Sequence, residues 1–232
     1  MIIAANFKTN HTRASTREYI NNLKNTKTDS TVLVFPTASA LDNFELPNNI
    51  RVGVQNAHPV ENGSFTGEIG LDQIDEFNIK TILIGHSERR HVMGESQELC
   101  AKKFDFYAQK GFEIVYCIGE PQEVREKGIE AVMAYNLTQL EGIDTDYEKL
   151  IIAYEPVWAI GTGLTASVEQ IEETLAHLKK RVDKPLLYGG SVKVANTKEI
   201  LDIKNCDGIL VGTASWDVQS FIEMVEISNK II

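Results

Sequence analysis

Short apolar runs rich in β-branched residues alternate along the chain with longer stretches whose apolar positions return every three or four residues. Runs of the first kind lie at 2–7, 31–35, 51–55, 80–85, 113–117, 150–154, 186–189 and 208–211, and they predict strands. The longer, amphipathic pattern predicts helices over 13–25, 95–110, 121–140, 167–182, 194–203 and 216–229, with weaker ones over 38–45 and 71–78. Divided by eight strands, 232 residues give 29 per unit, the length of one strand, one helix and two short connections. Strands that alternate with helices pair in parallel, and eight equal units close into a (β/α)8 barrel of the α/β class with the helices outside. No linker composition interrupts the series, so 1–232 is expected to form one domain. The competing architecture is an open, doubly wound sheet; the first strand-to-helix turn, NFKTN, lacks the GxGxxG fingerprint that would favour it.

Composition narrows the chemistry. A formal net charge of −10 argues against a general nucleic-acid or anionic-membrane surface, and leaves room only for a local cationic pocket. Cys100, Cys117 and Cys206 are far apart, with no CxxC and no neighbouring histidine, so neither a metal site nor a disulfide framework is expected. Reduced thiols fit a cytoplasmic protein. The first residues, Met1–Phe7, are too short for a signal segment and meet Lys8 at once, and no apolar run approaches the ~20 residues that span a bilayer.

In a barrel of this kind the loops that follow the strands share one face, so residues at strand ends converge wherever they fall in sequence. Glu155 ends the sixth run, kept extended by Pro156, and the aperiodic stretch 156–166 after it reads either as a lid over a ligand or as an ordinary connection. His86 is the histidine placed at a strand end. A helical turn starting at Ser87 or Glu88 would aim backbone N–H groups at its ring and keep it neutral, whereas a core histidine bonded to backbone is the plainer alternative. His11, His58, His91 and His177 read as surface or loop residues. Asn6 and Lys8 follow the first strand on one side of the chain, and Lys8 reads as a surface lysine or as the cation of an anion pocket. Glycines in YGGS (188–191) and VGTA (211–214) allow backbone N–H groups to approach an oxyanion between the last two units.

Seven ordered blocks carry a more specific signal: NFK (6–8), GSFTGE (63–68), IGHSERR (84–90), CIGE (117–120), YEPVWAIGTG (154–163), YGGSV (188–192) and LVGTAS (210–215). With them the chain resembles the triosephosphate isomerase family along essentially its whole length. The resemblance implies interconversion of dihydroxyacetone phosphate and D-glyceraldehyde 3-phosphate without metal or organic cofactor. A glutamate base facing a neutral histidine under a closing loop is a known worked example from this same family, so that pairing comes with the resemblance and not from residue spacing. It implies Glu155 as base, His86 as electrophile, and Lys8 with Asn6 stabilising the enediolate. Phosphate would lie on the backbone N–H groups of Gly161, Ser191, Gly212 and Thr213, and beside Lys8. Glu88 would order the lysine and histidine, while Glu120, Trp158, Tyr188 and Ser191 hold the lid open or shut. Loop 56–70, with Thr66 at its tip, would enter a second subunit, giving a homodimer with Glu68 and Arg89 as a pair across the interface.

Thr213 stands where the family usually has glycine; its N–H can still donate, but its side chain would narrow the phosphate pocket if the backbone there needed positive φ. Two rivals stand beside the isomerase: a phosphate-binding aldolase with Lys8 as Schiff base, and a catalytically silent barrel that binds a sugar phosphate or a protein partner.

Overall fold

The computed structural model describes residues 1–160 and 165–231. Eight strands run in chain order: β1 (Ile2–Asn6), β2 (Thr31–Phe35), β3 (Ile50–Val52), β4 (Thr81–Ile84), β5 (Glu113–Ile118), β6 (Leu150–Tyr154), β7 (Leu186–Tyr188) and β8 (Gly208–Val211). Every pairing is parallel, in the order β3-β2-β1-β8-β7-β6-β5-β4. A lone bridge between Val54 and Ile82 joins the two edges, through Val54 N–H to the Thr81 carbonyl and Leu83 N–H to the Val54 carbonyl, each 2.9 Å. The result is the expected eight-stranded barrel.

Alternation along the strands separates two apolar layers. Ala4, Leu33, Leu83, Val115, Ile151, Leu187 and Leu210 fill the interior, whereas Ile3, Val32, Ile82, Ile114, Ile152, Leu186 and Ile209 meet the surrounding helices. Both faces are therefore covered, which is why the strands read as continuous apolar runs.

Around the strands lie α1 (Arg13–Leu23), α2 (Leu71–Asp75), α3 (Ser87–His91), α4 (Gln97–Gln109), α5 (Gln122–Arg125), α6 (Ile129–Thr138), α7 (Val168–Lys179), α8 (Val194–Leu201) and α9 (Val218–Ser228). Local chemistry sets their starts. The Thr12 side chain caps the Ser15 N–H, Ser96 that of Leu99, Ser167 that of Gln170 and Asp217 that of Ser220.

Two expected helices differ. The stretch 121–140 is split into α5 and α6 because Gly128 takes φ 90°, a left-handed conformation that stops one helix and begins the next. The stretch 38–45 holds only a 3-10 turn, Ala38–Ala40, and continues without regular structure. Asp42 accepts the Asn43 N–H and is held by Arg13 and Arg17 on α1, and Pro47 disfavours helical backbone before it. Side-chain hydrogen bonding and proline thus outcompete a weak apolar period.

Candidate active site

The strand ends open into one cavity of about 430 Å3, whose walls include Asn6, Lys8, His86, Glu155, Gly189 and Gly212. That volume falls in the range of small-molecule sites. Glu155 leaves β6 fully buried, its backbone N–H bonded to the Ile118 carbonyl at 2.7 Å. Its side chain can occupy this place because Gly189, at the end of β7, has no Cβ: an added one would stand 2.8 Å from Glu155 Cγ.

The carboxylate is gripped at both oxygens. Oε1 lies 3.1 Å from His86 Nε2, and Oε2 accepts the Ser87 N–H at 2.9 Å. Ser87 opens α3, so the buried charge sits against free helical N–H groups, where a carboxylate is favoured. His86 is the residue that caps this helix: its Nδ1 accepts the Glu88 N–H at 3.2 Å. A nitrogen that accepts carries no proton, so the ring is neutral with its proton on Nε2, directed at the carboxylate.

Lys8 supplies the cation. Its Nζ is 2.7 Å from Glu88 Oε1, and the pair is partly exposed at the mouth of the cavity. The backbone of Lys8 is left-handed, φ 52°, an unusual state for a residue with a Cβ. Two hydrogen bonds hold it there: Lys8 N–H to Asn6 Oδ1 at 3.0 Å, and Gln55 Nε2 to the Lys8 carbonyl at 2.8 Å. Across the cavity, Gly212 approaches the lysine closely enough that a Cβ on it would be 3.2 Å from Lys8 Cε. Thr213 has a side chain in an exposed position, and its φ is outside the left-handed region, so the threonine costs no backbone strain.

On the far side of Glu155, the 3-10 turn Val157–Ala159 begins the segment expected as a lid. Glu120 is fully buried; its Oε1 accepts from the Trp158 indole at 3.1 Å and from the Tyr154 hydroxyl at 2.9 Å. Ser191 donates to the Ala159 carbonyl at 2.7 Å. Tyr188 is buried, and burial raises its hydroxyl far above the usual tyrosine range. Residues 161–164, including Gly161, fall outside the described residues.

The residues expected around the dimer loop lie to one side. Arg89 Nε donates to Glu95 Oε2 at 2.6 Å, and buried Lys103 donates to the same oxygen at 2.6 Å and to Asn56 Oδ1 at 2.6 Å. Thr66 and Glu68 are exposed on loop 56–70. A second cavity of about 590 Å3 adjoins the first through Asn6, Lys8 and His86 and extends to Asn56, Arg89 and Met93.

Sequence reasoning missed three contributors. The turn at Ser87 is expected from the sequence to aim N–H groups only at the His86 ring, whereas its Ser87 N–H meets Glu155 Oε2. Gln55 stands just past the end of β3, and reading that strand end with the others would have found it. His11, read from the sequence as a surface or loop residue, is half-buried and bonded at both ring nitrogens. Among the described residues, no cluster of His, Cys, Asp and Glu is placed to hold a metal ion, and no helix is long and apolar enough to cross a membrane.

A family model described as Triosephosphate isomerase matches residues 1–228. The chain is similar to proteins bearing that name from a Nitratiruptor species, 59% identical over 233 residues and 100% of both chains, and from a Sulfurovum species, 57% identical over 229 residues, 97% of this chain and 99% of the relative. A third, from Wolinella succinogenes, is 55% identical over 230 residues and likewise covers 97% and 99%.

Proposed function

The chain belongs to the triosephosphate isomerase family, and we propose that Glu155 is the base and His86 the electrophile with which it acts. The protein is an isomerase that interconverts dihydroxyacetone phosphate and D-glyceraldehyde 3-phosphate. Glu155 removes the proton from the carbon beside the carbonyl and returns it to the neighbouring carbon. Nε2–H of His86 donates to the carbonyl oxygen as negative charge develops there, and Lys8 and Asn6 stabilise the same charge. A neutral imidazole suits this role because it can give the proton to one oxygen and recover it from the other. Phosphate is held by backbone N–H groups at Ser191, Gly212 and Thr213, with Gly161 from the lid, and by Lys8. Closure of 156–166 excludes water from the enediolate.

The observation that carries this assignment is the 3.1 Å approach of Glu155 Oε1 to His86 Nε2 in the cavity that Lys8 enters. Glu155→Gln keeps the shape and removes the base. We expect kcat to fall by roughly 10³-fold while inorganic phosphate binds within about threefold of wild type. A mutant with near-normal kcat removes Glu155 from the mechanism.

The protein works in the cytoplasm as a homodimer, with loop 56–70 of one subunit seated beside Asn6 and Lys8 of the other. Supporting this are Val92 and Met93, 72% and 70% exposed at the edge of the second cavity, and Phe65, 44% exposed on the loop itself. Glu68 and Arg89 are the charged pair expected across that contact. Sedimentation equilibrium should return twice the chain mass, and Thr66→Glu should shift it toward one; a wild-type monomer with full activity would overturn the dimer.

A further inference from the structure

The loop that carries Lys8 is tied to the turn that carries Gly212 and Thr213 by a ring that lines neither of the two adjoining cavities. His11 lies three residues beyond Lys8 and is itself left-handed, φ 67°. Two left-handed residues bearing side chains within four positions are costly to hold, and something outside the loop must fix them. The His11 ring packs against Phe7 and Tyr19, centroids 4.5 Å and 5.6 Å away, tilted on the first and edge-on to the second, and those two rings touch each other at 4.7 Å. Its Nε2 lies 3.0 Å from the Trp216 carbonyl, and its Nδ1 lies 3.3 Å from Ser15 Oγ. A carbonyl only accepts, so Nε2 carries the proton and donates.

The Trp216 carbonyl ends a short structure with a definite direction. After β8, the 3-10 turn Thr213–Ser215 starts at the cavity and runs away from it. Inside the turn, Ser215 N–H bonds to the Gly212 carbonyl at 2.8 Å and Trp216 N–H to the Thr213 carbonyl at 3.1 Å. The carbonyls of Ser215 and Trp216 are met from outside the turn. The Tyr19 hydroxyl of α1 donates to the first at 2.7 Å, and His11 donates to the second. Tyr19 and His11 therefore hold the outer end of the turn by the Ser215 and Trp216 carbonyls, and the turn's inner end faces Lys8.

We infer that His11 is a positioning residue for phosphate: with Tyr19 it locks the turn after β8 to the loop after β1. The ammonium of Lys8 and the N–H groups of Gly212 and Thr213 are thereby presented to the ligand as one rigid unit. The inference rests on the isomerase reading of this cavity, since it assumes that the phosphate of the substrate lies between these two loops. A rigid phosphate cradle contributes to binding in ground state and transition state alike, so its loss is read mainly in KM and in phosphate affinity, with a smaller fall in kcat through Lys8.

The variants are His11→Gly, which removes the ring and suits the left-handed backbone, and His11→Gln, whose side-chain N–H reaches about as far as Nε2. For His11→Gly we expect the KM for glyceraldehyde 3-phosphate and the dissociation constant of inorganic phosphate to rise roughly fivefold to tenfold, the loss of one half-buried hydrogen bond, with kcat within about twofold. His11→Gln should recover most of that loss. A residue that only stabilises the fold would lower the melting temperature and leave both constants unchanged. Phosphate affinity equal to wild type in His11→Gly, or a Gln variant as weak as the Gly variant, overturns the proposal. Tyr19→Phe deletes one hydroxyl with no change of shape and should weaken phosphate in the same direction, so the proposal stands or falls even if the His11 variants do not fold. Wild-type protein that binds phosphate without isomerising triose phosphates would sink the isomerase reading and not this one.

Discussion

A single methyl group at Gly189 should disable the base without touching it chemically. The added Cβ would sit 2.8 Å from Glu155 Cγ and 3.5 Å from Oε1. Carbon atoms settle about 3.5–4.0 Å apart, so the two must separate by roughly 0.7–1.2 Å. Gly189 cannot give way easily, since its N–H bonds to the Tyr154 carbonyl at 2.8 Å and Tyr188 before it is fully buried. Nor does its φ lie in the left-handed region, so alanine brings a steric change and no backbone strain. Glu155 must therefore move, and its 2.9 Å bond from Ser87 and 3.1 Å approach to His86 move with it. Misplacing a reacting group by about 1 Å costs on the order of 10²-fold in rate, whereas overpacking costs about 1–3 kcal/mol in stability. In a coupled assay of triose phosphate conversion, Gly189→Ala should show kcat about 100-fold down, with inorganic phosphate affinity within about threefold and a cooperative thermal transition retained. A folded Gly189→Ala enzyme with kcat within about threefold of wild type would refute the claim that this contact sets the carboxylate's position.

Lys8→Met should raise the dissociation constant of phosphoglycolate at least about tenfold and lower kcat as well, because the same ammonium faces the bound dianion and the developing enediolate; unchanged affinity would reduce Lys8 to a structural role. Burial alone would raise the Glu95 carboxyl, yet hydrogen bonds from Lys103 and Arg89 bring it below its ordinary value of 4.5. A depressed carboxyl contributes stability above that ordinary value and loses it as pH falls through the folded value, so the urea midpoint should drop as pH falls below about 4.5. Lys103→Met should cost about 1.5–3 kcal/mol at neutral pH, since Glu95 loses one of its two cationic partners and keeps Arg89, and should weaken that acid limb; a midpoint unchanged by the mutation would argue against the pair. Burial pushes the Cys100 thiol up to about 12 and Cys206 up to about 11, and it raises fully buried Cys117 as well. A thiol-specific reagent at neutral pH should label none of the three in native protein and all of them in denaturant; rapid native labelling would show one to be accessible.

The barrel was legible because parallel strands covered on both faces leave uninterrupted apolar runs, and because eight of them alternate with helical stretches along the whole chain. The helix boundaries were less so. Nothing in the apolar period of 121–140 records that Gly128 would take φ 90°, and the weak period at 38–45 could not weigh Asp42 against two arginines from α1. At the site, asking which residues end strands found Asn6, Lys8, His86 and Glu155, because the topology itself brings strand ends together. What stayed hidden was contact made by backbone or across the fold. The Ser87 N–H, the left-handed backbone of Lys8 with Gln55 behind it, and the reach of His11 to Trp216 all depend on tertiary placement, which residue type does not encode.

The bridge at Val54 and Ile82 is where the ring of strands joins its two ends, and its consequence reaches function. Asn6 and Lys8 come from the arc that begins the chain, His86 and Glu155 from the arc beyond that seam. Neither arc alone holds both an acid–base pair and its counter-charge. Turnover therefore needs both arcs in place: during refolding, activity should return together with amide protection of Val54 and Leu83 at the seam.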